Sequence, residues 1–185
     1  MTQKWQNLKI GSRCNMNYGL IKYGDDVNAD GMSVSIFVSG CNFACKNCFN
    51  KQTQDKNYGN EFNEQIKNKI YKYFEKNFKY IDNLCILGGD SMMEYNYQDT
   101  LAFVKEFRSK FPTKIIYIWT GYTFDYLLKN RREILDYIDV VCDGQFIQEL
   151  YRKGLKYVGS LNQEIIDVKE SLKQNKKVLF YENKV

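Results

Sequence analysis

Four short apolar segments alternate with three amphipathic ones along this chain, and each apolar segment ends at a glycine-containing turn. The apolar segments are rich in β-branched and aromatic residues, and they are Ser33–Val38, Leu84–Leu87, Ile115–Trp119 and Asp139–Cys142. The amphipathic segments repeat apolar residues at spacings of three and four, and they are 61–79, 97–111 and 126–137. This alternation predicts an α/β fold in which helices connect the strands of a parallel sheet by right-handed crossovers.

The turns that follow the strands are where the chemistry of such a fold is expected. The carboxyl ends of parallel strands meet at one edge of a sheet, and ligands bind there. The loops at this edge are predicted to be 39–50, 88–94, 120–123 and 143–146.

Length and composition predict one globular domain covering residues 1–185, with its core at about 16–168. Hydrophobic residues make up 44% of the chain and charged residues 26%, as in ordinary globular proteins. Residues 1–30 are expected to be irregular, because glycines interrupt polar stretches there. No run of eighteen apolar residues and no secretory signal is visible, so we expect a cytoplasmic protein without a membrane partner. The basic residues are scattered, so the net charge of +5 does not indicate a nucleic-acid partner.

The absence of histidine restricts the possible chemistry more than any other feature of the composition. It excludes histidine general acid–base catalysis, histidine-dependent nucleophiles and every histidine-ligated metal site. Six cysteines remain, and clustered cysteines in a reducing compartment indicate metal or redox chemistry rather than disulfides.

Cys41, Cys45 and Cys48 follow the first predicted strand in CxxxCxxC spacing. Thiolates are soft ligands suited to zinc or to iron–sulfur clusters. Zinc would need a fourth ligand, for which Cys14 is a candidate, whereas Cys85 and Cys142 lie in apolar strands and resemble core residues. Three ligands on a [4Fe–4S] cluster would leave one iron open for a substrate. The spacing favours such a cluster, and a three-plus-one zinc site or a coincidental trio are the alternatives.

At this point the sequence resembles a known family. CxxxCxxC after the first strand and Gly-Gly-Asp after the second resemble the radical S-adenosylmethionine (SAM) enzymes. More narrowly, the chain resembles the activating proteins of anaerobic ribonucleoside-triphosphate reductases. The stretches that carry this resemblance are 16–18, 37–41, 45–50, 87–90, 119–123, 138–140, 143–144 and 159–163. The resemblance implies a partial (β/α) barrel of the radical SAM type, with a parallel sheet and helices on its outer face.

The resemblance also implies cofactors, a reaction and partners. Cys41, Cys45 and Cys48 would bind the [4Fe–4S] cluster, and SAM would chelate the open iron. Reductive cleavage of SAM would yield a 5′-deoxyadenosyl radical, which takes a hydrogen atom from a glycine of the partner reductase. A low-potential electron donor such as flavodoxin would supply the electron.

Further residues are implied to contact SAM. Gly88, Gly89 and Asp90 would face its amino group, since glycine lets backbone approach a ligand closely. Asn47 and Phe49, on either side of Cys48, would pack on SAM, with Phe49 shielding the adenine; the alternative for Phe49 is a core residue. Trp119–Tyr122 would line the nucleoside or the route of the glycine, or simply pack. Asp143-Gly144 would form a rim turn that faces the partner.

The chain also departs from the family. Ser91 stands where members often have proline, and 28–33 lack the usual Pro and Arg. Two further functions stay open, namely activation of another glycyl radical enzyme and a small-molecule radical enzyme such as a deazaguanine synthase. A zinc-binding module without enzymatic activity is a third.

Overall fold

The computed structural model describes residues 16–183, and within them one eight-stranded sheet is joined by four α-helices. The strands are β1 (Asn17–Asp25), β2 (Ser33–Val38), β3 (Asn60–Glu61), β4 (Asn83–Gly88), β5 (Ile115–Trp119), β6 (Val140–Asp143), β7 (Glu164–Asp167) and β8 (Leu179–Tyr181). The helices are α1 (Glu64–Lys76), α2 (Glu94–Lys110), α3 (Phe124–Asn130) and α4 (Val168–Gln174). Cys14 lies outside the described residues, so its role as a fourth ligand stays a prediction.

The four predicted strands form the parallel centre of the sheet. The strand order is β3-β1-β2-β4-β5-β6-β7-β8, and β2, β4, β5 and β6 pair in parallel. The three predicted helices are also present, although the third is α3 followed by a 3₁₀ turn at Arg132–Asp136. The local patterns therefore predicted the elements that carry the site.

The flanks of the sheet differ from the predicted parallel arrangement, because they are antiparallel. β1 and β3 extend the sheet beyond β2, and β7 and β8 extend it beyond β6. The prediction that residues 1–30 are irregular is wrong for β1. Most of its side chains are exposed or half-buried, so it has no clear apolar alternation, and backbone pairing with β2 holds it in place. The register shifts beside Gly19 and Gly24, so these glycines mark irregularities within a strand rather than a loop.

The helices cover one face of the sheet. The side chains of β2 that point to this face are Val34, Ile36 and Val38, and all three are buried in the main core. Aromatic residues of α1 and α2 pack against them, with the rings of Phe74 and Phe107 centred 4.7 Å apart. Residues of α3 and α4 join the same core.

The opposite face of the sheet is covered by loops. Cys85 and Cys142 are buried there with Tyr117, under the loop residues Tyr157 and Val158. Burial raises the pKa of the Cys85 thiol to about 12. Both cysteines are therefore core residues, as predicted. No helix of the described chain is long and apolar enough to cross a membrane.

Candidate functional site

The cysteine loop begins where β2 ends and is shaped by left-handed backbone. Gly40 has φ +100°, and a Cβ there would overlap the ring of Tyr95 on α2. Ala44 and Asn47 adopt φ of 50° and 56°, which coils the chain between the three cysteines. Two backbone bonds anchor the loop: Gly40 N–H donates to the Thr53 carbonyl (2.7 Å), and Cys41 N–H donates to that of Gln54 (3.0 Å).

The three thiols are half-buried and line one cavity. Burial raises the pKa of Cys41 to about 12, so this thiol is protonated until a metal replaces its proton. No three histidine, cysteine or acidic side chains of residues 16–183 are placed to hold a single metal ion. A [4Fe–4S] cubane does not require the three thiols to converge on one point, because each thiolate binds a different iron of the cluster. Three soft thiolates around a common cavity fit a [4Fe–4S] cluster.

The cavity brings together the predicted cluster ligands and the residues of the Gly88–Asp90 turn, with Asn47 and Phe49. Its volume is about 840 Å³, within the range of small-molecule sites. The loops after β2, β4, β5 and β6 all contribute to its wall, as predicted. The predicted site residues in the wall are Cys41, Cys45, Asn47, Cys48, Phe49, Gly88, Gly89 and Asp90.

The two glycines at the end of β4, Gly88 and Gly89, are required by the packing of the protein itself. Gly88 has φ +100°, and a Cβ there would lie 2.8 Å from the Cα of Phe37. A Cβ at Gly89 would lie 2.7 Å from the Gly40 oxygen and 2.8 Å from the Thr53 oxygen. The absence of a side chain at Gly89 therefore lets the cysteine loop approach β4. Close approach of a ligand was the expected reason.

Asp90 joins the loops after β4 and β5. Its carboxylate accepts hydrogen bonds from the hydroxyl of Thr120 (3.0 and 3.1 Å) and from the N–H groups of Gly121 and Met92 (2.8 Å each). Burial raises its pKa to about 6, and the hydrogen bonds partly offset that rise. Both oxygens thus have partners within the protein, so Asp90 positions the β5 loop whether or not it also contacts a ligand.

The loop after β6 holds the outer side of the cysteine loop. The Asn47 amide donates to the side chain of Gln148 (3.1 Å), and the Gln145 amide donates to the Phe43 carbonyl (3.1 Å). Phe49 is 98% exposed, so the alternative that it is a core residue is wrong. An exposed phenylalanine in the wall of a cavity is available to cover a ligand.

Asp143 and Gln163, at the two ends of the segment between β6 and β7, have roles that the sequence did not predict. Asp143 is buried, and its carboxylate accepts from the N–H groups of Phe124 (2.7 Å) and Glu164 (3.2 Å), so it organises the fold instead of facing a partner. Gln163 was not singled out: its side chain binds backbone of Gly144 and Gly159, two glycines of the cavity wall. The sequence signal that could have identified Gln163 was its position at the end of the 159–163 stretch, which carries part of the family resemblance.

Trp119, Thr120 and Gly121 line the cavity, as the position of their loop predicted. The indole N–H of Trp119 donates to the Tyr157 carbonyl (2.7 Å). Tyr122 instead packs on neighbouring rings, with centroids 4.2 Å from Tyr126. The first three residues of this stretch therefore line the cavity, whereas Tyr122 packs against its aromatic neighbours.

Comparison with known proteins agrees with this site. Residues 27–166 match the family model described as a 4Fe-4S single cluster domain, and this span contains the three cysteines and the Gly-Gly-Asp turn. The anaerobic ribonucleoside-triphosphate reductase-activating protein of Haemophilus influenzae is 37% identical over 150 residues, which cover 81% of this chain and 97% of that protein. The chain belongs to the family of these activating proteins.

Other members of this family come from a second bacterium and from a phage. The activating protein of Escherichia coli K12 is 34% identical over 81% of this chain and 97% of its own length. That of Enterobacteria phage T4 is 34% identical over 81% of this chain and 93% of its own length. No solved structure matches the chain significantly. The family match supports the predicted iron–sulfur cofactor and, through the relatives' names, an activating role.

Proposed function

We propose that this chain is a radical SAM enzyme that generates the glycyl radical of an anaerobic ribonucleoside-triphosphate reductase. The observation that carries the proposal is one cavity lined by Cys41, Cys45, Cys48 and the Gly88–Asp90 turn, in a chain of the activating family. When bound, the reduced cluster supplies the electron that cleaves SAM to methionine and a 5′-deoxyadenosyl radical, which takes a hydrogen atom from a glycine of the reductase.

The residues of the cavity divide the binding work between them. The three cysteines would hold the cluster, each through its thiolate. Gly88, Gly89 and Asp90 would face the amino group of SAM, since all three line the same cavity as the cysteines. Asn47 and Phe49 would cover the nucleoside, for which the fully exposed ring of Phe49 is free.

The fold is proposed to be the partial (β/α) barrel of this superfamily. Helices on one face of the sheet, loops on the other and a cavity at the carboxyl ends of the strands support it. The cavity would then form the mouth of the barrel, where the reactive groups are shielded from bulk water.

The partners follow from the proposed reaction. We propose that the reductase is the protein substrate, that a low-potential donor such as flavodoxin supplies the electron, and that the protein acts in the cytoplasm without nucleic acid. The lysines in and just after α4 include three whose charges are paired within the protein. Lys169, Lys173 and Lys177 form ion pairs with Asp139, Glu170 and Glu164.

Electron paramagnetic resonance (EPR) tests the proposed function. The protein is reconstituted with iron and sulfide under anaerobic conditions, and SAM, a strong reductant and the cognate reductase are added. We expect a glycyl doublet on the reductase, and a reductase with its radical-forming glycine changed to alanine is the matched control. A reductase that stays radical-free while a free nucleotide or pterin is consumed would establish a small-molecule enzyme instead. Binding of zinc without iron would establish the zinc-binding module.

A further inference from the structure

The first turn of α2 lies against both loops that form the site. Asn96, in this turn, is 1% exposed. Its side-chain amide donates one hydrogen bond to the Ser39 carbonyl (2.9 Å) and one to the Asp90 carbonyl (3.0 Å). Ser39 comes immediately before Gly40-Cys41, and Asp90 ends the Gly-Gly-Asp turn. Both protons of one amide group are thus used to hold the two loops.

Direct contacts between the loops do not make this bridge redundant. The Gly89 N–H donates to the Val38 carbonyl (2.7 Å), and the Asp90 N–H donates to that of Gly40 (2.8 Å). These bonds join one loop to the other, whereas Asn96 ties both loops to a seventeen-residue helix packed on the main core. The helix therefore sets where the pair of loops lies relative to the rest of the cavity.

We propose that Asn96 is a positioning residue for SAM binding, which it supports by anchoring the cysteine loop and the Gly-Gly-Asp turn together to α2. The inference rests on the proposed function, in which SAM contacts the cluster on one loop and the turn on the other. A ligand held by two loops binds more tightly when both loops are fixed in place before it binds. Loss of the amide removes this donor from the Ser39 carbonyl and leaves the Asp90 carbonyl with the longer bond from the Met93 N–H (3.3 Å), so both loops lose their hydrogen bonds to the Asn96 side chain.

A matched pair of variants separates positioning from ordinary stability. Asn96→Leu removes the amide at similar side-chain size. Thr100→Val, one turn later on the same helix, removes an equally buried hydroxyl whose single proton is shared between the carbonyls of Ser91 (3.2 Å) and Asn96 (2.9 Å). Both variants lose buried hydrogen bonds to backbone, but only the first releases the cysteine loop.

The measurements are the unfolding of the apoprotein, iron per chain, the Kd of SAM at equal cluster content, and the change in the EPR spectrum of the reduced cluster on SAM addition. We expect Asn96→Leu to weaken SAM binding at least about tenfold and to diminish the spectral change. Thr100→Val should alter the Kd less than about threefold at a comparable loss of stability. Asn96→Ser keeps one donor on a shorter side chain, so its Kd for SAM should lie between those of wild type and Asn96→Leu. If Asn96→Leu does not fold, Asn96→Ser takes its place in the comparison.

Two results would overturn the inference. Equal weakening of SAM binding by the Asn96 and Thr100 variants would show a purely structural role, and so would wild-type affinity in both Asn96 variants. If the SAM-induced spectral change is absent in wild type itself, the proposed function fails and this inference fails with it.

Discussion

Gly89 offers a sharp test of how the two site loops pack, because one added methyl group would meet backbone on two sides. The Cβ of Gly89→Ala would lie 2.7 Å from the Gly40 oxygen, so that oxygen must retreat by about 0.7 Å to reach the 3.4 Å of an ordinary contact. The Thr53 oxygen, at 2.8 Å, must also move. Both oxygens accept short backbone hydrogen bonds, from Asp90 and Gly40, which would lengthen.

The expected penalty combines two effects. Overpacking of a well-packed region costs about 1–3 kcal/mol, and each weakened hydrogen bond adds up to about 1 kcal/mol. We therefore expect Gly89→Ala to lower the free energy of unfolding of the apoprotein by about 2–4 kcal/mol. Because the displaced backbone belongs to the cysteine loop, iron per chain after reconstitution should also fall.

Urea unfolding under anaerobic, reducing conditions gives the free energy, and iron analysis gives the cluster content. Gly19→Ala is the control, since its Cβ would meet the side chain of Tyr58 at 2.6 Å rather than backbone. Tyr58 is partly exposed and able to swing away, so we expect a loss below about 1 kcal/mol. Wild-type stability and iron content in Gly89→Ala, together with weaker SAM binding, would refute the packing argument. That result would favour close ligand approach as the reason for the glycine.

Three further predictions concern the cysteines, Asp90 and Phe49. Cys45→Ser should lose the cluster and SAM cleavage, whereas Cys85→Ala should lose about 1–2 kcal/mol of stability and keep its iron; equal iron loss in both would contradict these roles. Asp90 should contribute a fall in the stability of the apoprotein as the pH rises from about 4 to about 6, because folded Asp90 keeps a proton that the unfolded chain has released. Asp90→Asn should reduce this fall in urea titrations at several pH values, and an unchanged slope would exclude Asp90 as its source. Phe49→Ala should leave stability within about 0.5 kcal/mol, because the ring is exposed, but weaken SAM binding in calorimetry; unchanged affinity would exclude its role in covering SAM.

The central strands and the cysteine loop were predictable because their signals are local. Ile115–Trp119 is a continuous apolar run, and the three cysteines lie within eight residues of one another. A sheet buried on both faces requires such runs, and a loop of ligands requires only short spacing. The edge of the sheet where the loops gather then followed from the parallel arrangement.

β1 illustrates what local patterns miss. Its side chains are mostly exposed or half-buried, so burial leaves little imprint on the sequence, and the strand exists because β2 supplies hydrogen-bonding partners. The antiparallel strands β7 and β8 have only four and three residues, so they are too short to show a strand pattern in the sequence. Backbone pairing is independent of side-chain identity, so a polar strand has no period to detect.

The sequence by itself therefore determined the kind of chemistry, through three closely spaced cysteines and the absence of histidine. Only the tertiary structure decided how the site is held together. Asn96 reaches Ser39 across 57 positions of sequence, and Asp90 reaches Thr120 across 30. Such contacts depend on how helices and strands pack in three dimensions. A buried asparagine or aspartate looks like any polar residue until the carbonyls and amide groups around it are known.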